Sequence, residues 1–259
     1  MDGRLEYKYL VSNTLLDAIR DDLRPYMLPD PLGGQRRRGE YTVRSIYYDT
    51  PRLHCYDTKL DGLKLRRKFR IRGYDDPADD SVVFLEIKKK YASFIEKHRS
   101  PLLRKHLEAF LACPDVDRYI IQSSGTTRER RDAERFLYHY YRRGLIPAVL
   151  VVYDREAFLG RFDPSLRLTF DKALRRAVFP TLQTLYDDDG LEAAMPNACI
   201  FEVKFFRHAL PGFLRSIITR YELPRLALSK YTICLDSHPM ASTFSLWRER
   251  QFASASRSV

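Results

Sequence analysis

Lys64-Leu-Arg-Arg-Lys-Phe-Arg-Ile-Arg72 is the stretch of this sequence that decides the fold. Successive side chains of a β-strand point to opposite faces, so one face of this segment carries Lys64, Arg66, Lys68, Arg70 and Arg72. The opposite face is mostly apolar, with Arg67 as its exception, and needs helices or a second sheet to cover it. Like charges on one face repel each other unless solvent or an anion compensates them. A solvated sheet face would explain an isolated run of this kind.

A second pattern, Glu-x-Lys, occurs inside three predicted strands, as Glu6/Lys8, Glu86/Lys88 and Glu202/Lys204. Each pair lies on one strand face, and the residues beside and between its members are large and apolar, which predicts that the other face is core. Arg167, which is flanked by Leu166 and Leu168, repeats the arrangement, as does Arg155, which follows Tyr153 by two residues. Polar faces on most strands are expected if the sheet curls into a barrel with a hydrophilic interior.

Such an interior suits a polyanion that also carries a metal. Lys and Arg donate charge-assisted hydrogen bonds to phosphate oxygens, and carboxylates are hard oxygen ligands for Mg²⁺ or Mn²⁺. One copy of Glu-x-Lys would mean little in a charged protein, but three copies at strand centres favour this interpretation. The sequence therefore predicts a basic pocket for a polyphosphate, such as the triphosphate of ATP.

The composition is that of a folded, β-rich protein. Of 259 residues, 44% are hydrophobic and 13% aromatic, and aromatic residues favour strands. Lys and Arg total 45 against 34 Asp and Glu, a net charge of +11. This excess favours an anionic partner, and nucleic acid, an acidic membrane and a phosphorylated small molecule all satisfy it.

The cysteines and histidines do not indicate a metal or disulfide framework. The four cysteines are far apart, and none of the six histidines has metal-ligand spacing or a triad partner. The longest apolar stretch, Leu145 to Tyr153, falls short of the ~20 residues that a membrane span requires. We therefore expect a cytoplasmic protein without a targeting or membrane segment.

Periodicity predicts an α+β fold with a mostly antiparallel sheet. Period-two alternation predicts strands at Arg4–Val11, Glu40–Tyr48, Gly62–Tyr74, Ser81–Tyr91, Ala148–Gly160, Leu166–Asp171 and Cys199–Phe206. Helices are predicted from Ser12 or Asn13 to before Pro25, and at Leu102–Ala112, Thr127–Arg143 and Leu210–Tyr221. Because no linker divides the chain, we expect one domain over residues 1–240 and a flexible basic tail over 241–259.

Taken in order, several short motifs resemble the triphosphate tunnel enzymes, and within them the polyphosphate-polymerase domain of the vacuolar transporter chaperone (VTC) type. The motifs cover roughly residues 4 to 236, and although each is weak, the ordered set is specific. They are Arg4-Leu-Glu-Tyr-Lys-Tyr9, Ser45-Ile-Tyr-Tyr-Asp49, Arg70-Ile-Arg72, Leu85-Glu-Ile-Lys88, Glu96-Lys-His-Arg99, Tyr153-Asp-Arg-Glu-Ala-Phe158, Arg167-Leu-Thr-Phe-Asp171, Phe201-Glu-Val-Lys204 and Ser229-Lys-Tyr231.

The resemblance implies an eight-stranded antiparallel β-barrel that forms a tunnel, with helices packed outside and near one mouth. Its implied catalytic residues, which neutralise developing charge, are Lys8, Arg70, Arg72 and Lys88. Its implied phosphate-binding residues are Lys97, Arg99, Arg155, Arg167, Ser229 and Lys230, with Lys97 and Arg99 as alternatives for one position. Glu202 is the implied metal ligand, and Glu6 is a second candidate that neighbouring lysines explain equally well.

The function implied by the resemblance is metal-dependent polyphosphate synthesis. The chain would transfer the γ-phosphate of ATP to a growing polyphosphate chain, with Mn²⁺ or Mg²⁺. Arg4 replaces the first carboxylate of the Glu-x-Glu-x-Lys that is frequent in the wider family, which favours the VTC-like branch. An inorganic triphosphatase and a non-catalytic polyphosphate- or nucleic-acid-binding module stay as alternatives.

The expected partners are ATP and inorganic polyphosphate or triphosphate. A membrane-protein partner is possible under the resemblance, although no membrane helix or SPX module is visible in the chain. No nucleic-acid partner is expected, because no RNA- or DNA-reading motif is present. A solvated charged helix explains the arginine-rich segment Thr127–Arg143.

Overall fold

A computed structural model describes residues 5–31, 39–75, 78, 80–92, 94–123, 127–206 and 209–238. Arg4 and the tail expected at 241–259 lie outside these residues. The strands are β1 Leu5–Ser12, β2 Met27–Pro29, β3 Glu40–Asp49, β4 Leu65–Tyr74, β5 Val82–Tyr91, β6 Phe94–Leu103, β7 Ile146–Gly160, β8 Arg167–Val178, β9 Glu192–Met195 and β10 Ala198–Phe205. The α-helices are α1 Leu16–Leu23, α2 His54–Leu60, α3 Leu107–Ala112, α4 Val116–Tyr119, α5 Arg128–Arg142, α6 Gly212–Arg220 and α7 Lys230–Asp236.

Eight of the strands form a continuous antiparallel path in the order β1-β10-β8-β7-β3-β4-β5-β6, and β2 and β9 pair beside it. The path is strongly curled. In a flat sheet, β1 and β5 would lie about 29 Å apart, at ~4.8 Å per strand. Instead, Lys88 Nζ of β5 lies 3.3 Å from Glu6 Oε2 of β1. The α+β class and the eight-stranded antiparallel sheet are thus confirmed, and the sheet has a concave interior.

The convex face of the sheet carries two hydrophobic cores, and both are covered by helices. In the first, Phe69 and Ile71 of β4 pack in one cluster with Phe110 of α3 and Phe136 of α5. The second cluster joins β1, β8 and β10 to α1 and α6 through residues such as Ile19, Leu168, Phe201 and Leu214. The apolar face predicted for the 64–72 segment is therefore the outer face.

Helix α7 packs on the concave face, near one end of the sheet. Tyr47 shares this face with Arg70, its register partner on β4. The ring of Tyr231 in α7 stacks on Tyr47 with 5.2 Å between centroids. This contact places Lys230, the first residue of α7, beside the interior.

Two predictions of local structure were wrong around residue 100. Strand β6 was not predicted, and the helix expected at Leu102–Ala112 begins only at Leu107, after a 3-10 turn. The central residues of β6, Glu96 to Ser100, are polar on both faces, since Lys97 and Arg99 face the interior while Glu96 and His98 lie on the other face. This weakens the apolar alternation that normally marks a strand. Pro101 is tolerated because β6 ends the sheet path and one edge of it needs no ladder hydrogen bonds.

Asp49 anchors α2 and α7 to the end of β3. It is fully buried and accepts hydrogen bonds from the backbone N–H of Thr50, Cys55 and Tyr56, at 2.7, 2.8 and 3.0 Å. It also accepts one from the hydroxyl of Tyr231, at 2.5 Å. One carboxylate therefore fixes the position of two helices.

Replacing Asp49 with Ala should destabilise the protein strongly, because several buried donors lose their acceptor. We expect a loss of about 3 kcal/mol or more in the free energy of unfolding, measured by urea denaturation. Tyr231→Phe is the matched control, since it removes only one of these hydrogen bonds and should cost about 1 kcal/mol. Equal losses in the two variants would contradict the anchoring role of Asp49.

Candidate functional site

The buried carboxylate of Glu202 contacts cations from β1, β7, β10 and α7 in the interior. Its Oε2 lies 2.6 Å from Lys204 Nζ and 3.8 Å from Arg155 Nη2. Its Oε1 lies 3.1 Å from Lys8 Nζ and 3.0 Å from Lys230 Nζ. We call these five residues the Glu202 cluster.

The register of the strands explains why this cluster forms. Lys8 on β1 is the direct partner of Glu202 on β10, and Glu6 is the partner of Lys204. The two Glu-x-Lys segments run antiparallel, so every glutamate faces a lysine across the ladder. The period-two pattern predicted that each pair shares a face, and the register adds the alternation of opposite charges over this part of the concave face.

A second buried carboxylate, Glu86, gathers another four cations. Arg70 Nη2 lies 2.6 Å from Glu86 Oε2 and Arg72 Nη1 lies 3.9 Å from the same oxygen. Lys97 Nζ and Arg99 Nε lie 2.7 and 3.4 Å from Oε1. We call these five residues the Glu86 cluster. Lys97 and Arg99 both face it, so the structure leaves both as possible phosphate ligands.

Two contacts between the clusters join opposite sides of the interior. Glu6 binds Lys8 at 3.2 Å and Lys88 at 3.3 Å, which joins β1 to β5. Lys68 Nζ donates a hydrogen bond to Ser229 Oγ at 2.6 Å, which joins β4 to the N-cap of α7. The predicted residues from opposite ends of the sheet path therefore line one space.

The side chains of the interior stay ionised because opposite charges lie close enough to compensate each other. Burial opposes ionisation of Glu202, but Lys204, Lys230, Lys8 and Arg155 outweigh it and hold its pKa well below the usual range. Burial likewise opposes ionisation of Glu6, whose pKa Lys8 and Lys88 nevertheless lower to about 2. Both carboxylates are therefore charged at neutral pH, and each compensates cations that a bound anion could also compensate.

Lys68 differs from the other interior cations. Among the residues that the structure describes, no carboxylate forms an ion pair with it, and the charges that act on it most strongly are other cations. Burial lowers the pKa of Lys68 well below its usual value, and Lys8, Lys88 and Arg70 lower it further. An anion bound beside Lys68 would relieve this repulsion.

Most of the predicted site residues are brought together, with Arg167 at the margin. Lys8, Arg155 and Lys230 lie in the Glu202 cluster, while Arg70, Arg72, Lys97 and Arg99 lie in the Glu86 cluster. Glu6, Lys88 and Ser229 lie between them. Arg167 is the register partner of Lys204 but pairs with Asp30, at 2.8 Å from Nη2 to Oδ2.

The VTC domain family model matches residues 3–238, nearly all of the chain. The chain belongs to the VTC domain family. The match spans every strand and helix described above, so the family resemblance seen in the short motifs is confirmed. No curated protein matches this VTC domain.

Two solved structures resemble the VTC domain in fold. The first is HpAC1 from Hippeastrum, an adenylyl cyclase by name, whose structure is described as revealing a dominant triphosphatase activity. It is 14% identical to this chain, with a TM-score of 0.48, and the match covers 89% of this chain and 94% of that one. The PH1819 protein from Pyrococcus horikoshii OT3 is 13% identical, with a TM-score of 0.43 and coverage of 91% and 99%. No function is inferred from either.

Several residues of the interior were not among the predicted site residues. Asp171 accepts a bidentate hydrogen bond from Arg155, at 2.6 and 2.8 Å, and also pairs with Lys230. Tyr47 accepts a hydrogen bond from Arg70 at 2.8 Å. Lys68 and Lys204 belong to the sequence patterns described above, but neither was predicted as a site residue. Alternation places Asp171 on the same face as Arg167, and that signal could have identified it.

The described residues contain no group of three or more His, Cys, Asp or Glu side chains that could hold a metal by themselves. Glu6 and Glu202 nevertheless come close enough to share the ammonium of Lys8. Mg²⁺ is usually held by one or two carboxylates together with substrate phosphates. These two carboxylates therefore suit a metal that arrives with a phosphate chain.

No helix in the described part of the chain combines the length and the apolar character needed to cross a membrane.

Replacing Lys68 with Met should stabilise the protein without ligand but weaken phosphate binding. The native pKa is depressed, so the cost in stability develops as the pH falls from the unfolded-state pKa of about 10.4 to the lower folded-state pKa, and it is complete below that value. At pH 7 we expect a gain of about 1 kcal/mol in urea denaturation and about a tenfold loss of tripolyphosphate affinity by calorimetry. The gain should disappear above the unfolded-state pKa of about 10.4, where Lys68 is neutral in both the folded and the unfolded state. Exposed Lys105→Met is the control, because Lys105 is not among the cations that repel Lys68. A destabilised Lys68→Met protein would contradict the assignment.

Proposed function

We propose that this VTC domain is a polyphosphate polymerase that transfers the γ-phosphate of ATP to a growing polyphosphate chain in its concave interior. One observation carries the proposal: the cations of the Glu202 and Glu86 clusters line a single space, although they come from strands far apart in the sheet. A phosphate chain has the charge density and the extended shape to contact both clusters. The family assignment supports chemistry on phosphates.

Binding would proceed by exchange of anions. The interior carboxylates hold the cations in position before substrate arrives, and phosphate oxygens then take over part of this role. Arg70, Arg72 and Arg155 suit phosphate edges because the guanidinium donates two parallel hydrogen bonds. Lys8, Lys88 and Lys230 act as point charges. This preorganisation lowers the cost of ordering long side chains when substrate binds.

The transfer step needs no side-chain nucleophile. A terminal oxygen of the acceptor polyphosphate attacks the γ-phosphorus, and the bond from that phosphorus to the β–γ bridging oxygen breaks, so that ADP leaves. Charge develops on the transferring and bridging oxygens, and preorganised cations stabilise it. Lys8, Arg70, Arg72 and Lys88 have this role, while Lys97, Arg99, Arg155, Arg167, Ser229 and Lys230 position the chain.

A divalent metal fits the donor set of the interior. Glu202, with Glu6 as a second ligand, would hold Mn²⁺ or Mg²⁺ on the phosphate chain. When bound, the metal would neutralise phosphate charge and polarise the phosphoryl oxygens. The cytoplasmic location and the membrane-protein partner stay predictions.

Product analysis of one reaction tests the proposal. The purified chain is incubated with ATP and Mn²⁺, and the products are separated by gel electrophoresis while free phosphate is measured. Long polyphosphate together with ADP is the expected result. Free phosphate without polyphosphate would instead assign an inorganic or nucleoside triphosphatase. Tripolyphosphate binding without turnover would assign a polyphosphate-binding module, and preferential, salt-dependent binding of oligonucleotides would assign a nucleic-acid module.

A further inference from the structure

A cavity lies on the convex side of the sheet, between α5 and strands β4, β5 and β6. It encloses about 280 Å³ and is lined by Arg67, Lys89, Glu96, His98, Arg135 and Tyr138, with Ile87 and His139 completing its wall. These strand residues alternate with the interior ones: Arg67 precedes Lys68, and Lys89 follows Lys88. The cavity is therefore separated from the interior by the sheet itself. We call it the outer pocket.

Arg67 is the one charge in the apolar face of the 64–72 segment, and the interior does not use it. The register places Arg67 beside Lys89 and Lys89 beside Glu96, so the three side chains form a row on the convex face. Lys89 Nζ pairs with Glu96 at 3.1 Å. Within the described part of the chain, Arg67 has no hydrogen bond or ion pair, although it is half-buried.

The other wall of the pocket, from α5, adds positive charge. Arg135 Nη1 lies 2.8 Å from His98 Nδ1, and that nitrogen also contacts Asp132 Oδ1 at 2.8 Å. Arg143, behind the pocket, donates a hydrogen bond to His139 Nδ1 at 3.4 Å. Among the residues that the structure describes, the lining cations Arg67, Lys89 and Arg135 face two carboxylates, Glu96 and Asp132, and Asp132 also pairs with Arg128. Within the described part of the chain, Arg67 is therefore left without a counter-ion in this pocket.

The chemistry of the walls selects the class of ligand. A guanidinium that is half-buried and unpaired binds an oxyanion well, because it donates a planar pair of hydrogen bonds. The volume exceeds the ~30 Å³ share of a water molecule several times, so the pocket has room for an anion of several heavy atoms. Tyr138, which lines the pocket, is 58% exposed, and this leaves a path for entry from solvent.

We propose that the outer pocket is a second anion site, which binds a small phosphate-bearing anion of the size of phosphate or pyrophosphate through Arg67, Lys89 and Arg135. The site lies on the reverse side of the strand that supplies Lys68 and Arg70 to the interior. It is independent of the proposed polymerase activity, since it uses none of the interior residues.

Histidine NMR gives a local readout of this site, because His98 and His139 belong to the pocket. Protein with ¹³C-labelled histidine is titrated with pyrophosphate, and the His98 signal is assigned with a His98→Gln variant. We expect the His98 and His139 signals to shift in a saturable manner, while exposed His54 stays unchanged. Arg67→Ala should weaken the apparent affinity at least tenfold, and Arg135→Ala should act in the same direction.

The controls separate the outer pocket from the interior. Lys88→Ala alters the interior and should leave the histidine titration as it is, whereas Arg67→Ala should leave the basal turnover of the protein as it is. Thermal melting checks that each variant is folded, and Arg135→Ala, on the surface of α5, serves if Arg67→Ala is not. Absence of a saturable shift, an unchanged titration in the Arg67 or Arg135 variant, or loss of the shift in Lys88→Ala would each overturn the proposal. Lack of polyphosphate synthesis would not affect this readout.

Discussion

Glu202→Gln is expected to lower the rate of polyphosphate synthesis by about 100-fold or more. The carboxylate is the shared partner of Lys8, Lys204 and Lys230, all within 3.1 Å. It is also the main candidate for holding the metal on the substrate. Glutamine keeps the shape but loses the charge, so both the arrangement of the cations and the metal affinity should suffer. Initial rates at saturating ATP and Mn²⁺, followed by the release of ADP, measure the effect.

The same substitution should also destabilise the protein without ligand. Removing one member of a buried ion-pair group leaves the others uncompensated, at a cost of about 3–5 kcal/mol in the free energy of unfolding. Tripolyphosphate, which supplies the missing negative charge, should raise the melting temperature of the variant more than that of the wild type. Glu192→Gln is the control, because Glu192 is 60% exposed and pairs with Arg176 outside both clusters. Wild-type turnover by folded Glu202→Gln protein would falsify the assignment of this site.

Arg70→Lys should reduce turnover by roughly 10- to 100-fold even though the charge is kept, and Arg70→Ala should reduce it further. The guanidinium donates to Glu86 through Nε at 2.6 Å and to the Tyr47 hydroxyl through Nη1 at 2.8 Å. A lysine ammonium cannot span both partners and a phosphate at once. We expect the loss mainly in kcat, since the interaction is strongest with the charge that develops during transfer.

The comparison with an exposed arginine makes this test specific. Arg215→Lys on the exposed side of α6 should leave both kcat and KM unchanged. If Arg70→Lys matched the wild type in kcat while only KM rose, Arg70 would bind substrate uniformly and would not act in the transfer step. Full activity in Arg70→Ala would remove the Glu86 cluster from the reaction.

Strand alternation predicted the two faces of the sheet because the side-chain period of a strand is fixed. Lys68, Arg70 and Arg72 lie on the concave face and Phe69 and Ile71 on the convex one, as the 64–72 pattern required. The pairing of the strands could not be predicted from this alternation. That Glu86 would collect arginines from β4 and β6 depends on register, and the sequence gives no direct sign of register.

Three features could not be predicted from the sequence for physical reasons. Strand β6 has a polar face because it lines the interior, so its alternation resembles that of a charged surface segment. Helix α7 is only seven residues long, and tertiary contacts through Asp49 and Tyr47 stabilise it more than local propensity does. The outer pocket depends on the packing of α5 against the sheet, a contact between segments far apart in the chain.

The carboxylates of the concave interior have a thermodynamic consequence for its ligands. Before substrate arrives, Glu6, Glu86, Asp171 and Glu202 compensate part of the positive charge of the space, each through the cations that it contacts. Each phosphate that takes one of their cations leaves a carboxylate that must find another positive charge. A divalent ion or a proton can supply it, so uptake of the anion and uptake of a cation are linked functions. The affinity for polyphosphate should therefore rise with the activity of the metal, by the same factor by which polyphosphate raises the affinity for the metal.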